Sequence, residues 1–287
     1  MSTATQTRLD VVPLTQYIGA EIRGVDLRDK PDDDTIKAIY QAWLDHLVII
    51  FPDQKLSQED LVRATGFFGE IGEISRPAKY FPKGYSSLLP GIMMISNIRE
   101  NGEPIGALPD GEMMFHHDMI HAAVPSKGTL LYSVEIPSSG GETLFASGYA
   151  AYDTLDPAIR NRLEGRRAKH HYNYGAVTKN DPKATEAFAE SMHPAFRTHE
   201  ETGRKAVYVN RLMSVGIEGI DDAEAERLLE QVFDHAENPA FVYEHQWRVG
   251  DLLLWDNRCS SHARRDFPST ERRLMLRTTV KGASRPA

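Results

Sequence analysis

Short apolar runs separated by turn residues dominate the C-terminal half of the chain, and this pattern constrains the fold more than any other feature. Such runs are typical of β-strands. They are TLLYSVEIP (129–137), ETLFAS (142–147), HPAFRTHEETGRKAVYVN (193–210), VGDLLLWDN (249–257) and RRLMLRTTVKG (272–282). The intervening SSGG predicts that the first two runs form a hairpin, and Glu201-Thr202-Gly203 predicts a turn within the third. Many short antiparallel strands predict a double sheet of jelly-roll or barrel type.

Three segments have the apolar spacing of amphipathic helices, which would flank these strands. The first follows the acidic residues Asp32–Asp34 and leads into a strand-like run, Val48–Phe51. In the second, Ser57 and Asp60 resemble a capping box, and the third lies between Asp221 and Glu237. We find no internal repeat and no linker. Residues 1–287 are therefore expected to form one domain that is mainly β with flanking helices.

Two regions are candidates for active-site lids. Residues 75–112 are rich in proline and glycine, and their mixed pattern predicts one strand near Ile92–Asn97 within long loops. Residues 172–192 also lack a clear period. Long loops in a compact domain often close over a site, so either region could act as a lid.

Composition excludes some classes of protein. The formal net charge of −8 argues against a dedicated nucleic-acid binder, although a local group of arginines could still bind a small anion. No basic segment followed by an apolar stretch begins the chain, and no apolar run reaches the ~20 residues of a membrane span. The one cysteine, Cys259, cannot form an internal disulfide. We therefore expect a soluble cytoplasmic protein with neither a membrane nor a nucleic acid as partner.

The segment MMFHHDMIH contains the pattern His116-x-Asp118. If it lies on a strand, residues two apart face the same side, so that an imidazole and a carboxylate would converge. A second histidine, His262, follows a strand that looks buried. Two histidines and one carboxylate on one face would leave metal positions open, as iron(II) oxygenases require. The triplet alone is weak evidence, because a chain with 11 histidines and 41 acidic residues produces it easily by chance.

Two arginines, Arg273 and Arg277, flank the apolar residues Leu274–Leu276 in the last strand-like run. A buried arginine is costly unless it is paired, and its planar guanidinium matches a carboxylate in two parallel hydrogen bonds. These residues could therefore bind anionic ligands. They could equally pair with surface acids, and their spacing alone does not decide between the two.

Taken in order, the motifs resemble those of the taurine dioxygenase / 2,4-dichlorophenoxyacetate dioxygenase family of iron(II)- and 2-oxoglutarate-dependent oxygenases. The resemblance covers nearly the whole chain. Besides the runs quoted above, it includes IGAEIRGVDL (18–27), FFGEIGEI (67–74), FHHDM (115–119), PSSGGETLFAS (137–147) and WDNRCSSH (255–262). It implies a double-stranded β-helix, or jelly roll, which agrees with the strand pattern.

By position, the resemblance also implies roles for individual residues. His116, Asp118 and His262 look like the iron ligands. Thr143 and Arg273 match the residues that bind the distal carboxylate of 2-oxoglutarate. Arg277 matches an arginine that binds the anionic group of the substrate or supports the other carboxylate of the co-substrate, and Met119 matches a position that contacts substrate.

The resemblance implies an activity and a substrate class. 2-Oxoglutarate would be converted to succinate and carbon dioxide while a small anionic substrate is hydroxylated, such as an aryloxyalkanoate, a sulfonate or a related carboxylate. Hydroxylation beside oxygen, sulfur or nitrogen would then cleave that bond. Relatives commonly form dimers or tetramers, so a homo-oligomer is expected. The alternative is a cupin-like metalloenzyme that does not use 2-oxoglutarate, which would not need Thr143 and Arg273.

Several nearby residues are less certain. Glu112 stands where taurine enzymes carry an asparagine, and Arg76 or Tyr80 could replace other taurine contacts. His117 should point away from the metal. His121 could edge the pocket, although a loop or strand histidine is more often structural. Cys259 and His170, His171 and His193 are not expected to take part in the chemistry. The WDNR segment (255–258) is most simply interpreted as structural, ending a strand and orienting the loop of His262.

Overall fold

The computed structural model describes residues 9–73, 88–108, 111–173, 176–178 and 187–287. Arg76 and Tyr80, and parts of both candidate lid regions, lie outside these residues. The helices within the described ranges are α1 (Asp33–His46), α2 (Gln58–Gly66), α3 (Gly148–Thr154), α4 (Pro157–Leu163) and α5 (Asp222–Ala236). No helix among these residues has the length and apolar character to cross a membrane.

The fold is mostly β. The strands are β1 (Asp10–Pro13), β2 (Ala20–Arg23), β3 (Val48–Phe51), β4 (Met93–Ser96), β5 (Arg99–Glu100), β6 (Glu103–Pro104), β7 (Met113–His116), β8 (Gly128–Glu135), β9 (Thr143–Ser147), β10 (Arg167–Asn173), β11 (Ala187–Pro194), β12 (Phe196–Thr198), β13 (Lys205–Val207), β14 (Ser214–Ile217), β15 (Val242–His245), β16 (Leu252–Asp256), β17 (Ser260–Arg264) and β18 (Leu274–Val280).

Two sheets carry the site. The larger has the order β1-β2-β3-β16-β8-β18-β4, and all its pairs are antiparallel except β2 with β3. The smaller has the antiparallel order β15-β9-β17-β7. Side chains of both sheets meet in one buried cluster that includes Leu131, Phe145, Leu253 and Met275. The two sheets therefore pack against each other.

The central strands of the larger sheet are buried on both faces. In β3, Val48 and Ile50 belong to the cluster between the sheets, whereas Ile49 and Phe51 pack with α1 and α2 on the other side. The same alternation holds in β16. A strand covered on both faces is apolar throughout, and this explains the uninterrupted runs VIIF and LLLW.

The predicted hairpin of residues 129–147 is wrong. β8 pairs with β16 and β18 in the larger sheet, whereas β9 pairs with β15 and β17 in the smaller one. The turn therefore carries the chain from one sheet to the other. Gly140 and Gly141 both have positive φ there, 76° and 75°, and a Cβ on Gly140 would lie 2.5 Å from the backbone oxygen of Asp266. Turn chemistry predicts a reversal, but it does not specify which strand edges are available.

The other sequence expectations mostly agree with the structure. The three predicted helices correspond to α1, α2 and α5, and Ser57 with Asp60 forms a complete capping box at α2. The predicted strand near 92–97 is β4, and the predicted turn at 201–203 lies between the paired strands β12 and β13. In the second candidate lid, residues 187–192 belong to β11, which pairs with β10.

Candidate metal and co-substrate site

His116 and Asp118 lie where β7 ends. The strand argument predicted their convergence for a reason that does not hold, because β7 stops at His116 and Asp118 lies in the turn that follows. Met119 occupies the left-handed region with φ of 59°, a conformation that a side chain with a Cβ seldom adopts. Such local strain is often found at functional sites. In this arrangement a carboxylate oxygen of Asp118 lies within 4.8 Å of a ring nitrogen of His116.

His262 lies opposite His116 in the register of β17 and β7. Their ring centroids are 4.1 Å apart, and His262 Nε2 lies 3.9 Å from Asp118 Oδ2. All three side chains are buried, and one ligand atom of each lies within 4.8 Å of those of the other two. Together with Arg277 we call them the cavity cluster. Sequence analysis predicted this grouping of His116, Asp118 and His262.

The protonation states of these groups suit a divalent cation. Burial lowers the pKa of His116 and His262, so both imidazoles are neutral near pH 7. Burial alone would raise the pKa of Asp118, but the charge of Arg277 and a hydrogen bond from Thr129 lower it overall. Neutral imidazoles and an ionised carboxylate are the forms that bind metal.

Hydrogen bonds orient two of the three side chains. His116 Nδ1 lies 3.0 Å from the carbonyl oxygen of Met114, and an imidazole that donates there leaves Nε2 available as a ligand atom. Asp118 Oδ2 accepts a 2.7 Å hydrogen bond from Thr129, and Asp118 Oδ1 lies 2.9 Å from the Arg277 guanidinium. His262 Nδ1 is buried and has no hydrogen-bond partner within the described part of the chain. The residues present therefore fit a metal ion bound on one face.

Arg273 is a buried cation without an anionic partner. Its side chain is 2% exposed, and its guanidinium makes no hydrogen bond or ion pair with any residue that the structure describes. Burial, and to a smaller extent the charge of Arg264, lowers its pKa. An uncompensated buried charge is costly, so this position favours an anionic ligand over an ion pair within the protein.

Thr143 lies in the same region. It begins β9, is 4% exposed, and its hydroxyl oxygen accepts a 3.0 Å hydrogen bond from Trp247 Nε1. Its partner in β17 is Arg264, a second buried arginine that sequence analysis did not single out. Arg264 donates to the carbonyl oxygen of Gly111.

A cavity of about 570 Å³ unites these residues. His116, Asp118, Met119, Thr143, His262, Arg273 and Arg277 all line it. Much of the remaining wall is apolar, from Met93, Ile95, Met113, Leu131 and Met213. His121, thought structural from its sequence context, also lines the cavity and stacks on Tyr172 with 4.7 Å between ring centroids. A pocket of this size with a few converging polar groups is typical of a small-molecule site.

Other residues named from the sequence lie elsewhere. The Glu112 side chain is 59% exposed, pairs with Arg265 at 3.1 Å and does not line the cavity. His117 points away from the cavity cluster, as predicted, with its ring 4.9 Å from that of Tyr208. His170, His171 and His193 do not line the cavity.

A second buried group also has metal-ligating side chains in proximity: His199, Asp256 and Cys259. With Arg258 we call it the closed cluster. His199 Nε2 lies 3.1 Å from Asp256 Oδ2, and Arg258 donates to both carboxylate oxygens of Asp256. Backbone N–H groups of Glu201 and Thr202 donate to His199 Nδ1 at 3.2 Å each. Neither imidazole nitrogen is left for a metal, in agreement with the expectation that Cys259 is not a ligand.

A mostly β fold with two histidines, a carboxylate and buried arginines around one cavity defines a mononuclear metalloenzyme that binds an acidic co-substrate. Comparison with known proteins identifies the family. A family model described as "Taurine catabolism dioxygenase TauD, TfdA family" matches residues 10–279. The chain belongs to this family and is a 2-oxoglutarate-dependent dioxygenase, whose co-substrate acts together with a metal ion.

Individual relatives match almost the whole chain. The (S)-phenoxypropionate/alpha-ketoglutarate-dioxygenase of Sphingobium herbicidovorans is 31% identical and covers 95% of this chain and 95% of its own length. Pentalenolactone F synthase of Streptomyces avermitilis is 34% identical and covers 92% of this chain and 90% of its own. The crystal structure of AAD-2 in complex with Mn(II) and N-oxalylglycine has a TM-score of 0.79 at 25% identity, covering 98% of this chain and 99% of that one.

Proposed function

We propose that the protein is an iron(II)- and 2-oxoglutarate-dependent dioxygenase with His116, Asp118 and His262 as the metal ligands. The observation that carries the proposal is their convergence on the cavity that also contains Arg273, a buried cation with no anionic partner among the described residues. Two histidines and one carboxylate with open positions are typical of non-haem iron(II) oxygenases. A cupin-like metalloenzyme that does not use 2-oxoglutarate is the less favoured alternative, because it gives no reason for the lone charge of Arg273.

Thr143 and Arg273 are the proposed residues for the distal carboxylate of 2-oxoglutarate. A guanidinium forms two parallel hydrogen bonds with a carboxylate, and the Thr143 hydroxyl can donate a further one while it accepts from Trp247. The charge of Arg273 would then be compensated by the co-substrate. N-oxalylglycine, found with AAD-2, is also a dicarboxylate, which supports a dicarboxylate as the co-substrate.

The primary substrate is proposed to be a small organic anion, an aryloxyalkanoate, a sulfonate or a related carboxylate. Arg277 supplies positive charge beside Asp118, and Met119 contributes apolar contact. The Sphingobium relative, named for (S)-phenoxypropionate, supports the carboxylate class. The Streptomyces relative, at similar identity, is named for a different product, so identity alone does not select the compound.

O2 would be the oxidant and the second co-substrate. With iron(II) bound, one oxygen atom of O2 would enter succinate as 2-oxoglutarate loses carbon dioxide, and the other would be inserted into a substrate C–H bond. The chain's residues bind and orient. Arg273 and Thr143 hold one end of the co-substrate, Arg277 holds the substrate anion, and the methionine-rich wall excludes water from the reacting groups. Hydroxylation next to oxygen, sulfur or nitrogen would be followed by cleavage of that bond.

The proposal extends to the fold type, the number of domains, the oligomeric state and the cellular location. The two packed sheets are consistent with a jelly roll formed by a single domain of residues 1–287, and a homo-oligomer is expected by analogy with relatives. A lone buried cysteine is consistent with a reducing cytoplasm as the location.

Anaerobic titration of the metal-free protein with iron(II) and then 2-oxoglutarate tests the assignment. We expect the weak visible charge-transfer band of the chelate, lost in His116→Ala and weakened in Arg273→Ala. A folded protein that binds iron but develops no band would contradict the use of 2-oxoglutarate at this site. Succinate release in a panel of aryloxyalkanoates, sulfonates and sulfate esters would then identify the substrate class.

A further inference from the structure

Three buried side chains form a chain of hydrogen bonds that ends on the proposed carboxylate ligand. Trp255 Nε1 donates to Asn257 Oδ1 at 3.0 Å, Asn257 Nδ2 donates to Thr129 Oγ1 at 2.9 Å, and Thr129 Oγ1 donates to Asp118 Oδ2 at 2.7 Å. Thr129 and Asn257 are fully buried and Trp255 is 2% exposed. Water therefore does not compete for these groups, and each bond matters more than it would at the surface.

We propose that Thr129 and Asn257 are positioning residues of the metal site, which hold the Asp118 carboxylate in one orientation. The inference rests on the proposed role of Asp118 as a ligand. It gives a specific function to the WDN segment, which the sequence suggested to be structural.

The direction of the chain follows from the chemistry of its first member. An indole N–H can only donate, so the amide oxygen of Asn257 must face Trp255 and its NH₂ group must face Thr129. The Thr129 hydroxyl oxygen then accepts from Asn257, and its single hydrogen is directed to Asp118. Without Asn257 the hydroxyl could rotate, and without Trp255 the amide could flip.

The chain also connects Asp118 with His262. The Trp255 ring packs against the His262 ring, with centroids 4.7 Å apart, while its N–H begins the hydrogen-bond chain. Trp255 thus contacts His262 directly and orients Asp118 through Asn257 and Thr129. Partners behind metal ligands commonly set ligand orientation, and their loss typically weakens metal affinity about 10- to 100-fold.

The backbone atoms of Thr129 and Asn257, rather than their side chains, make the bonds that hold these residues in the fold. The backbone of Thr129 pairs with Trp255 in β16 and Thr279 in β18, and the backbone N–H of Asn257 donates to the carbonyl oxygen of Lys127. Side-chain substitutions leave these bonds in place. The Thr129 hydroxyl can therefore be tested separately from the strand pairing.

The test compares Thr129→Val, which keeps the shape of the side chain and removes the hydroxyl, with Thr129→Ser, which keeps the hydroxyl. The probe is Mn(II), followed by electron paramagnetic resonance on the full-length protein without co-substrate. We expect affinity to fall about 10- to 100-fold in Thr129→Val and to remain within about threefold of wild type in Thr129→Ser. Equal affinities in the two variants would overturn the inference.

Two further variants keep the result specific. Thr65→Val removes another fully buried threonine hydroxyl, which bonds Leu61 and Thr278, and it should lower stability without changing Mn(II) affinity. Asn257→Ala should weaken Mn(II) binding in the wild-type background but add little to Thr129→Val, because both break the same chain. If the losses of Mn(II) binding free energy in Asn257→Ala and Thr129→Val were fully additive, the two residues would not act through one chain of hydrogen bonds.

The proposed function has a separate readout. Mn(II) binding by the wild type and its loss in His262→Ala test the ligand assignment, whereas the difference between Thr129→Val and Thr129→Ser tests the positioning role. A wild type that binds no Mn(II) would overturn both.

Discussion

The cavity cluster and the closed cluster contain nearly the same residue types, yet they differ in how completely their polar atoms are bonded. Each has a buried aspartate paired with an arginine and at least one histidine. In the closed cluster, both nitrogens of His199 and both oxygens of Asp256 have hydrogen-bond partners. In the cavity cluster, His262 Nδ1 has none, and the group opens into the cavity.

The difference shows why proximity alone does not identify a metal site. A metal must replace or add to the existing bonds of its ligands, and the closed cluster has no unused ligand atom on its histidine. Burial is equal in the two groups, so it does not discriminate between them. Buried polar groups are normally satisfied within the protein, and the exceptions are therefore informative.

The largest expected effect comes from removing a ligand of the cavity cluster. His262→Ala should abolish turnover and weaken Mn(II) binding by roughly two to three orders of magnitude. The binding free energy of a structural zinc ion with four ligands is about 10–16 kcal/mol, so one ligand contributes about 2.5–4 kcal/mol. The unfolding free energy of the metal-free protein should change little. Titration calorimetry and urea unfolding measure the two quantities. Unchanged Mn(II) affinity would remove His262 from the ligand set.

The closed cluster should respond in the opposite way. Asp256→Ala leaves the Arg258 guanidinium, which is 4% exposed, with only the partly exposed Glu200 and Glu201 as anionic partners. Losing one partner of a buried pair costs about 3–5 kcal/mol, so we expect a loss of that order in urea unfolding. The protein that remains folded should bind one Mn(II) with wild-type affinity. A selective loss of metal binding would mean that the closed cluster takes part in the site.

Unlike Arg258, Arg273 has no anionic partner among the described residues, and this leads to two linked predictions. Arg273→Met should weaken 2-oxoglutarate binding by about 2–5 kcal/mol, the usual cost of truncating a buried charge partner. The same substitution should raise the stability of the ligand-free protein, because an uncompensated charge is replaced by an apolar side chain. Thermal shifts with and without 2-oxoglutarate check both statements, and a destabilised ligand-free variant would contradict the second.

As the pH falls, the buried histidines at the cavity cluster should begin to lower the unfolding free energy at a higher pH than Asp256 of the closed cluster does. Burial lowers the pKa of the cluster's own histidines, His116 and His262, of the neighbouring His117 to about 3, and of His121, which lines the same cavity, to about 4. The unfolded chain binds protons at these sites below pH ~6.5, so stability is lost as the pH falls below that value.

His121→Phe isolates one of these contributions, because a phenyl ring can keep the stack on Tyr172. The dependence of unfolding free energy on pH between about 6 and 5 should become less steep by about 1.4 kcal/mol per pH unit. For Asp256 the pKa is lowered by Arg258 and His199 despite burial, so its contribution persists until the pH falls below ~4. An unchanged slope in His121→Phe would show that this imidazole is protonated in the folded protein.

The smallest effect is expected for Cys259→Ala. Burial raises the pKa of the Cys259 thiol, which keeps it protonated and a poor metal ligand. Stability should fall by about 1 kcal/mol, the usual size for a single substitution, while Mn(II) stoichiometry stays at one per chain. A drop in stoichiometry would identify a second metal site.

The sequence predicted the residues of the cavity cluster but not the reason for their convergence. His116 and Asp118 were expected on one face of a strand, whereas only His116 lies on β7 and Asp118 belongs to the turn that follows. Thr129 was missed, because a threonine within an apolar strand has no distinguishing signal in one sequence. Asn257 was noticed only as part of a motif. The exposure of Glu112 likewise depends on contacts with Arg265 that are distant in the chain.

By itself, the sequence determined what depends on near neighbours: the capped helices α1 and α2, the doubly buried strands β3 and β16, and the ordered motifs that identify the family. Only the tertiary structure decided that β8 and β9 enter different sheets and that His262 faces His116. It also decided that the closed cluster is saturated while Arg273 is left unpaired. Helix caps and apolar periodicity act over a few residues, whereas the partners of β8, β16 and His262 come from segments more than a hundred residues away and His199 meets Asp256 across 57 residues.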